Sequence, residues 1–470
     1  MFKLISHIIF CILFFYSCRN IEEKNVISLK DDFNSIIDDN TLIAITQNNS
    51  TDYFIYKGEP MGFQYELLKI FSEKLKLKLE VNVENDINKM FSSLNNSECD
   101  IIALNLTNTK ERKKLINFTV PIIQTRQVLV QRKPDKWQQL SNKAIDKQII
   151  RNVLDLANKT IYVQGGAVYI SRLRTLSDEI GDTIYIKEIE DIDTEEIISM
   201  VSNGEIDYTV CDENVGLINQ TYHQNIDIKT PISFNQNIGW GVRKNSEQLL
   251  DTLNKWLVDF KKTKKYKELY NKYFRHVKGV GYSNTNYHSK KTGKVSEYDD
   301  LIKIQSKIIN WDWKLLASLI YQESKFIPDL KSWTGAFGIM QLIPSTAERY
   351  GIDTCSTLEE NLEAGTKYIK WIEEQLEDIE DDNQRIKFTL ASYNVGLGHV
   401  LDARRLAEKN GKNPNQWDDN VDYFLLHKSN PKFYRDSVVK HGYCRGEEPY
   451  NYVTSIIERF EHYKNVIKEK

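Results

Sequence analysis

Along this chain the apolar residues follow two rhythms, and the change between them divides it. From residue 42 short apolar runs alternate with amphipathic stretches: 42–46, 77–83 and 101–104 read as strands, 65–75 and 87–94 as helices. A second alternating block runs from 161 to about 210, and a helical stretch over 246–273 closes the region. Such alternation predicts an α/β sheet domain. Residues 278–295, rich in Gly, Ser, Asn, Thr and Lys, read as a linker. Beyond them a helix is predicted over 313–326, where Leu316, Leu319, Ile320 and Glu323 recur at three- and four-residue spacing. Asp312 or Asn310 is placed to cap its start, and Pro328 discourages its continuation.

That helix puts a carboxylate on an apolar face. A carboxyl group among apolar side chains loses hydration of its charged form, so its pKa rises and it keeps a proton near neutrality. This is the state that a leaving-group acid needs. A glycine-punctuated stretch follows, Gly335-Ala336-Phe337-Gly338-Ile339-Met340-Gln341. Two-carboxylate glycosidases need a second acid across the bond, and no other Asp or Glu here sits in a pattern that assigns it such a role. The eight histidines show no metal-ligand spacing, and no cofactor is expected.

The N-terminus bears on location. Lys3 precedes an apolar run over residues 4–16, short for a spanning helix and suited to the core of an export signal. Phe15-Tyr16-Ser17-Cys18 resembles a bacterial lipobox, although Phe15 stands where Leu is usual. Processing there would make Cys18 the lipidated first residue and anchor the protein on a membrane; an ordinary cleaved signal peptide is the alternative. Arg19 is not the Asp associated with inner-membrane retention, so the periplasmic face of the outer membrane is the expected site. Residues 19–39 are polar and acidic and read as a tether.

Composition adds limits. The chain has 470 residues, 41% hydrophobic and 27% charged, which is enough for two or three cores. Its net charge of -3 gives no global attraction to nucleic acid. The run Lys261-Lys262-Thr263-Lys264-Lys265 reads as a solvated helix face. Cys99, Cys211, Cys355 and Cys444 are too widely spaced for a zinc site. An oxidising compartment would permit a Cys355–Cys444 disulfide, with free buried thiols the default.

Two later segments, Ser392-Tyr393-Asn394-Val395-Gly396 and Glu448-Pro449-Tyr450-Asn451-Tyr452-Val453, join Tyr321-Gln322-Glu323-Ser324 and the glycine stretch in a definite order. Together the four resemble the soluble lytic transglycosylase domain, a mainly helical, goose-lysozyme-like fold that cleaves peptidoglycan glycan strands. The resemblance implies Glu323 as the single acid/base. It implies Ser324, Gly338, Met340, Gln341, Tyr393, Asn394 and Tyr452 as residues that bind substrate or steady the acid. It also implies cleavage between N-acetylmuramic acid and N-acetylglucosamine with closure to a 1,6-anhydro end, hence a lyase. A lysozyme-type hydrolase and a non-catalytic sensor are the competing readings.

The first module carries its own pattern. Gly62-Phe63-Gln64-Tyr65-Glu66-Leu67, the stretch from Leu106 to Arg112, Phe118-Thr119-Val120-Pro121 and Asn203-Gly204-Glu205-Ile206-Asp207 resemble family 3 extracellular solute-binding proteins. These are two-lobed modules that close over amino acids or related solutes. The resemblance implies that Arg112 clamps a ligand carboxylate and Asp212 pairs with a ligand amine. Glu66 replaces the common Asp, Ile122 stands where an aromatic is usual, and Gln164-Gly165-Gly166-Ala167 lacks the usual hydroxyl. A free amino acid or a peptidoglycan stem peptide would each fit, and the fusion suggests ligand control of the enzyme. No role is evident for residues 133–159.

The expected organisation is an export signal over 1–17, a tether over 18–39, a two-lobed α/β domain over 40–276, a linker over 277–296 and a lysozyme-like domain over 297–470.

Overall fold

The computed structural model describes residues 32–190, 192–275 and 289–467. Cys18 and the apolar run before it lie outside the described residues. Among the described residues no helix is long and apolar enough to cross a membrane.

The first module folds as two lobes, each around a five-stranded sheet. In the first lobe the sheet order is Lys78–Val83, Thr41–Thr46, Ile101–Ile102, Gly241–Val242, Asn117–Phe118. Thr41–Thr46 pairs in parallel with both neighbours, and its last three residues are buried, as a strand covered on both faces requires. In the second lobe the order is Tyr185–Ile189, Thr160–Gln164, Tyr208–Asp212, Gln127–Arg132, Ile226–Pro231. The chain passes between lobes along an antiparallel pair, Ile123–Thr125 with Gln236–Ile238. Each lobe has its own buried clusters. Residues 133–159 belong to the second lobe, where Arg151 ties Asp146 to the buried Asp227.

Two expectations about the connections are corrected, and the third, the lysine run, is largely solvent-exposed as expected. Residues 32–38 are not loose tether: Asp32–Asp38 is a helix that buries Ile36 in the first lobe's core, because Phe33 and Ile36 fall on one side of a turn. The lysine run sits where Glu247–Phe260 ends and Lys264–Phe274 begins, with Thr263 capping the second helix through Tyr266 N at 3.2 Å. The end of the expected linker is packed as well, since the hydroxyl of buried Ser289 accepts a hydrogen bond from Ile55 N at 3.0 Å.

The C-terminal module is helical. Asp299–Ile308, Trp313–Ser324, Leu358–Glu374, Asp382–Val395, Leu397–Lys409 and Glu447–Val466 surround one apolar core. That core does not stop at the module boundary, because Tyr53, Ile55, Tyr65 and Val81 of the first lobe are part of it. Asp402, in Leu397–Lys409, is fully buried against Lys428 at 2.6 Å and accepts from Lys440 N and His441 N, each at 2.8 Å. Burial opposes its ionisation, but the ammonium and the two N–H groups prevail and hold the carboxyl at about 2. The pair ties the segment after residue 409 to the helices. Cys355 is exposed and Cys444 buried, and neither is in a disulfide.

Candidate functional site

Trp313–Ser324 begins at Asp312, whose carboxylate accepts from Lys314 N at 2.8 Å. It ends where Lys325 and Phe326 turn to φ of 51° and 62°. Two consecutive left-handed non-glycine residues cost roughly 1–2 kcal/mol each, so packing must hold them; the Phe326 ring meets Tyr321 edge to face at 5.6 Å. The helix is buried on every side from Trp313 to Tyr321 rather than on one face. Glu323 emerges near its end, half-buried.

The Glu323 carboxyl is raised to about 7. Burial is the cause, opposed by a short hydrogen bond that the Tyr452 hydroxyl donates to Oε1. Among the described residues no charged group adds to that balance. Tyr452 comes from Glu447–Val466, the helix packed against Trp313–Ser324.

The glycine loop forms the next wall. Gly338 has φ of 82°, and a Cβ there would overlap the Asn361 side chain. Asn361 accepts from Met340 N at 2.9 Å and donates to Phe337 O at 3.3 Å. Tyr393 donates its hydroxyl to Met340 O at 2.8 Å, and burial, with Glu323 nearby, pushes its phenol well up. Tyr452, Tyr393 and the loop therefore converge on Glu323. Asn394 is half-buried beside Tyr393, with no hydrogen bond from its amide to other described residues.

Three expected glycan contacts are turned inward. Ser324 is fully buried and donates to Ile320 O at 3.2 Å, since a helix buried all round gives the residue after Glu323 no path to the cleft. The Met340 side chain is fully buried against Gly365, and only its backbone serves the site. Gln341 donates to Leu330 O and Gly338 O, both at 2.8 Å, so its amide nitrogen closes the loop. The sequence reading missed Asn361. Its signal was a polar residue beside Leu362 and Ala364 on the buried face of Leu358–Glu374.

A second site lies between the lobes of the first module, where one cavity is lined by Arg112, Asp212, Asp52, Tyr169 and Glu195. Arg112 donates to Thr107 O at 3.3 Å, and burial lowers its pKa. Asp212 closes Tyr208–Asp212 with only 4% exposure, and its Oδ1 has no hydrogen-bond partner. Burial raises its carboxyl to about 7, with Arg112 pulling down and Asp52 pushing up. The lobes touch where Ser50 N donates to Glu195 Oε1 at 3.0 Å. Of the departures noted above, Glu66 is held by Lys272 at 2.6 Å away from this cavity, while Gln164 and Ala167 line it.

The two sites are physically joined. The hairpin Phe54–Tyr56/Glu59–Met61 of the first lobe reaches the helices that carry Glu323 and Tyr452: Tyr321 donates to Glu59, and Tyr463 donates to Gly58 O at 2.8 Å. Gly58 has φ of 80°, and a Cβ there would collide with the rings of Tyr321 and Phe326. Tyr53 bonds His462 Nδ1 at 2.7 Å, and burial lowers that imidazole to about 4, so it is neutral. Tyr53 follows Asp52 of the inter-lobe cavity, and His462 shares a helix with Tyr452.

Residues 42–276 match the model of bacterial extracellular solute-binding proteins, family 3, and residues 300–416 match that of the transglycosylase SLT domain. An ancestral amino acid-binding protein, a precursor of cyclohexadienyl dehydratase, aligns over 52% of this chain and 100% of its own with a TM-score of 0.43 and 24% identity. The membrane-bound lytic murein transglycosylase F of Pseudomonas fluorescens is 29% identical, covering 89% of this chain and 84% of its own. That of Desulfosudis oleivorans is 33% identical, covering 91% of this chain and 90% of its own. With both modules present in order, the chain belongs to the membrane-bound lytic murein transglycosylase F family.

Proposed function

We propose that this protein cleaves peptidoglycan glycan strands as a lytic transglycosylase, with Glu323 as its sole acid and base. The observation that carries this reading is a buried carboxyl raised to about 7 with a tyrosine hydroxyl as its one polar partner among the described residues. Tyr452 occupies Oε1, which leaves Oε2 to carry the proton. Glu323 gives that proton to the oxygen bridging N-acetylmuramic acid and N-acetylglucosamine, and the C1–O bond breaks. The substrate's own N-acetyl group stabilises the positive charge at C1. Glu323, now a carboxylate, takes the proton from the C6 hydroxyl of the same muramic acid, and O6 bonds to C1. The attack is intramolecular and favoured by proximity, and no water is consumed. Tyr393 and the Gly338–Gln341 loop shape the floor on which the sugar rests, with Asn394 free to bond it.

The first module binds a small solute between its lobes, its carboxylate on Arg112 and its amine on Asp212, and the hairpin from that lobe passes the lobe position to the Trp313–Ser324 helix. A ligand shifts this coupling only by binding one lobe arrangement better than another. A lipid on Cys18 holds the protein on the periplasmic face of the outer membrane. Digestion of purified sacculi tests the enzyme reading: wild type should release anhydro-ended muropeptides and Glu323→Gln none, while near-normal turnover by the variant would overturn it. Cys18→Ala should move the protein from the membrane to the soluble fraction; retention would remove the anchor.

A further inference from the structure

Among the described residues Trp333 is the most exposed large apolar side chain, at 97%. Tryptophan is highly buried on average, because its indole carries so much apolar surface. The backbone beneath this bare indole is nevertheless fixed. Gly335 N donates to Ser332 O at 3.0 Å, closing a tight turn with Trp333 and Thr334 at its centre, and Gly335 takes φ of 88° to leave it. Ser332 N donates to Ala336 O at 2.8 Å, and Ala336 N donates back to Ser332 Oγ at 3.0 Å. The Ser332 and Thr334 hydroxyls bond each other at 2.7 Å.

The turn is an extension of the wall beside Glu323. Gly338 N and Gln341 Nε2 both donate to Leu330 O, at 3.1 and 2.8 Å. Lys331 pairs with Phe337, and Phe337 pairs with Leu342. The two sides of the turn therefore run directly into the Gly338–Gln341 loop, which Tyr393 ties down next to the acid. Ile343, exposed by about half, follows that loop, and a Cβ on Gly335 would lie 3.7 Å from Pro344 Cγ. An indole and an isoleucine side chain thus stand at the outer edge of the wall.

We infer that Trp333 is a stacking platform for a sugar of the glycan strand outside the pair joined by the scissile bond, and that it sets the preference for long strands over short ones. This rests on the reading of the Glu323 cleft as glycan-cleaving. A strand is a polymer, so its sugars continue past the loop on either side of the bond that is cut. A pyranose presents C–H groups on a face and hydroxyls at its rim. The first suit the indole face, and the second suit the indole N–H and the Ser332 and Thr334 hydroxyls. Since the turn is ordered beforehand, little freedom is lost when the sugar lands. Trp333 is a positioning residue, acting on binding and not on the bond that breaks.

Kinetics of the full mature chain on purified long glycan strands and on a peptidoglycan tetrasaccharide test the assignment. Trp333→Ala should raise KM on long strands by about 10-fold, the effect of covering one face of an indole, with kcat held. The KM ratio between tetrasaccharide and long strands should shrink by the same factor, because the short substrate supplies few sugars beyond the bond. Trp333→Tyr should restore most of the ratio. An indole this exposed contributes little to the fold, so the variants should melt as wild type does. An unchanged KM on long strands, an equal rise on both substrates, or a loss confined to kcat would overturn the inference while wild-type cleavage leaves the enzyme reading standing. Cleavage of neither substrate by wild type would overturn both. If Trp333→Ala lowered binding of the Cys18→Ala protein to anionic vesicles and left strand affinity intact, the patch would belong to the membrane surface, and the inference would fail.

Discussion

Each of the two clefts holds a buried carboxyl raised to about 7, yet they are built in opposite ways. In the helical module Glu323 stands alone among apolar and phenolic groups, so burial sets its charge and Tyr452 trims it. Between the lobes burial raises both carboxyls, Asp52 adds to the cost at Asp212 and Glu195 adds to the cost at Asp52, while the Arg112 guanidinium pulls Asp212 down. An acid that must surrender a proton to substrate is kept from other charges. The acids of the inter-lobe cleft are kept together.

The largest effect that separates the clefts is Glu323→Gln. It should lower glycan cleavage by about 1,000-fold, the scale of a lost general acid, while calorimetry at the other cleft is unchanged. A matching loss of ligand binding would mean that the two sites are not chemically distinct.

Acidity gives a second separation, because the same pKa has opposite consequences. Cleavage requires protonated Glu323, so its rate should fall as pH climbs through about 7. Pairing Asp212 with a ligand amine requires its ionised form, with Arg112 and Asp52 beside it, so affinity should rise over the same interval. Parallel pH profiles would break the comparison. Tyr452→Phe sharpens it: removing a donor that lowers the Glu323 pKa should move the alkaline limb of activity upward and leave ligand affinity alone. A limb that stayed in place would show that Tyr452 does not act on the acid.

The smallest effect concerns the joint between clefts. Tyr321→Phe removes the hydrogen bond to Glu59 and should cost about 1 kcal/mol of stability in denaturant melts. If the hairpin carries the signal, it should also reduce any change in cleavage rate that a stem peptide produces, and Arg112→Ala should abolish that change. A full response in both variants would refute ligand control through this route.

Much of this was legible in local patterns. Asp312 as cap, the strand at Thr41–Thr46 and the helix at Phe63–Leu75 follow from spacing and capping chemistry that act within a few residues. Glu323 on an apolar background was readable for the same reason. What spacing could not supply is contact between distant segments: Tyr452 meets Glu323 across 129 residues, and Tyr321 meets Glu59 across 262. Side-chain direction was equally hidden. Met340 and Gln341 belong to the motif, but Met340 packs against Gly365 of Leu358–Glu374 and Gln341 is held by Leu330 O, neither of which the motif contains.

The claim that a lone carboxyl closes the sugar on itself is tested most directly by digesting sacculi in water enriched in oxygen-18 and weighing the released muropeptides. Anhydro ends free of the heavy oxygen are the expected result. Reducing ends that carry it would show that water attacks C1, and would make the enzyme a hydrolase.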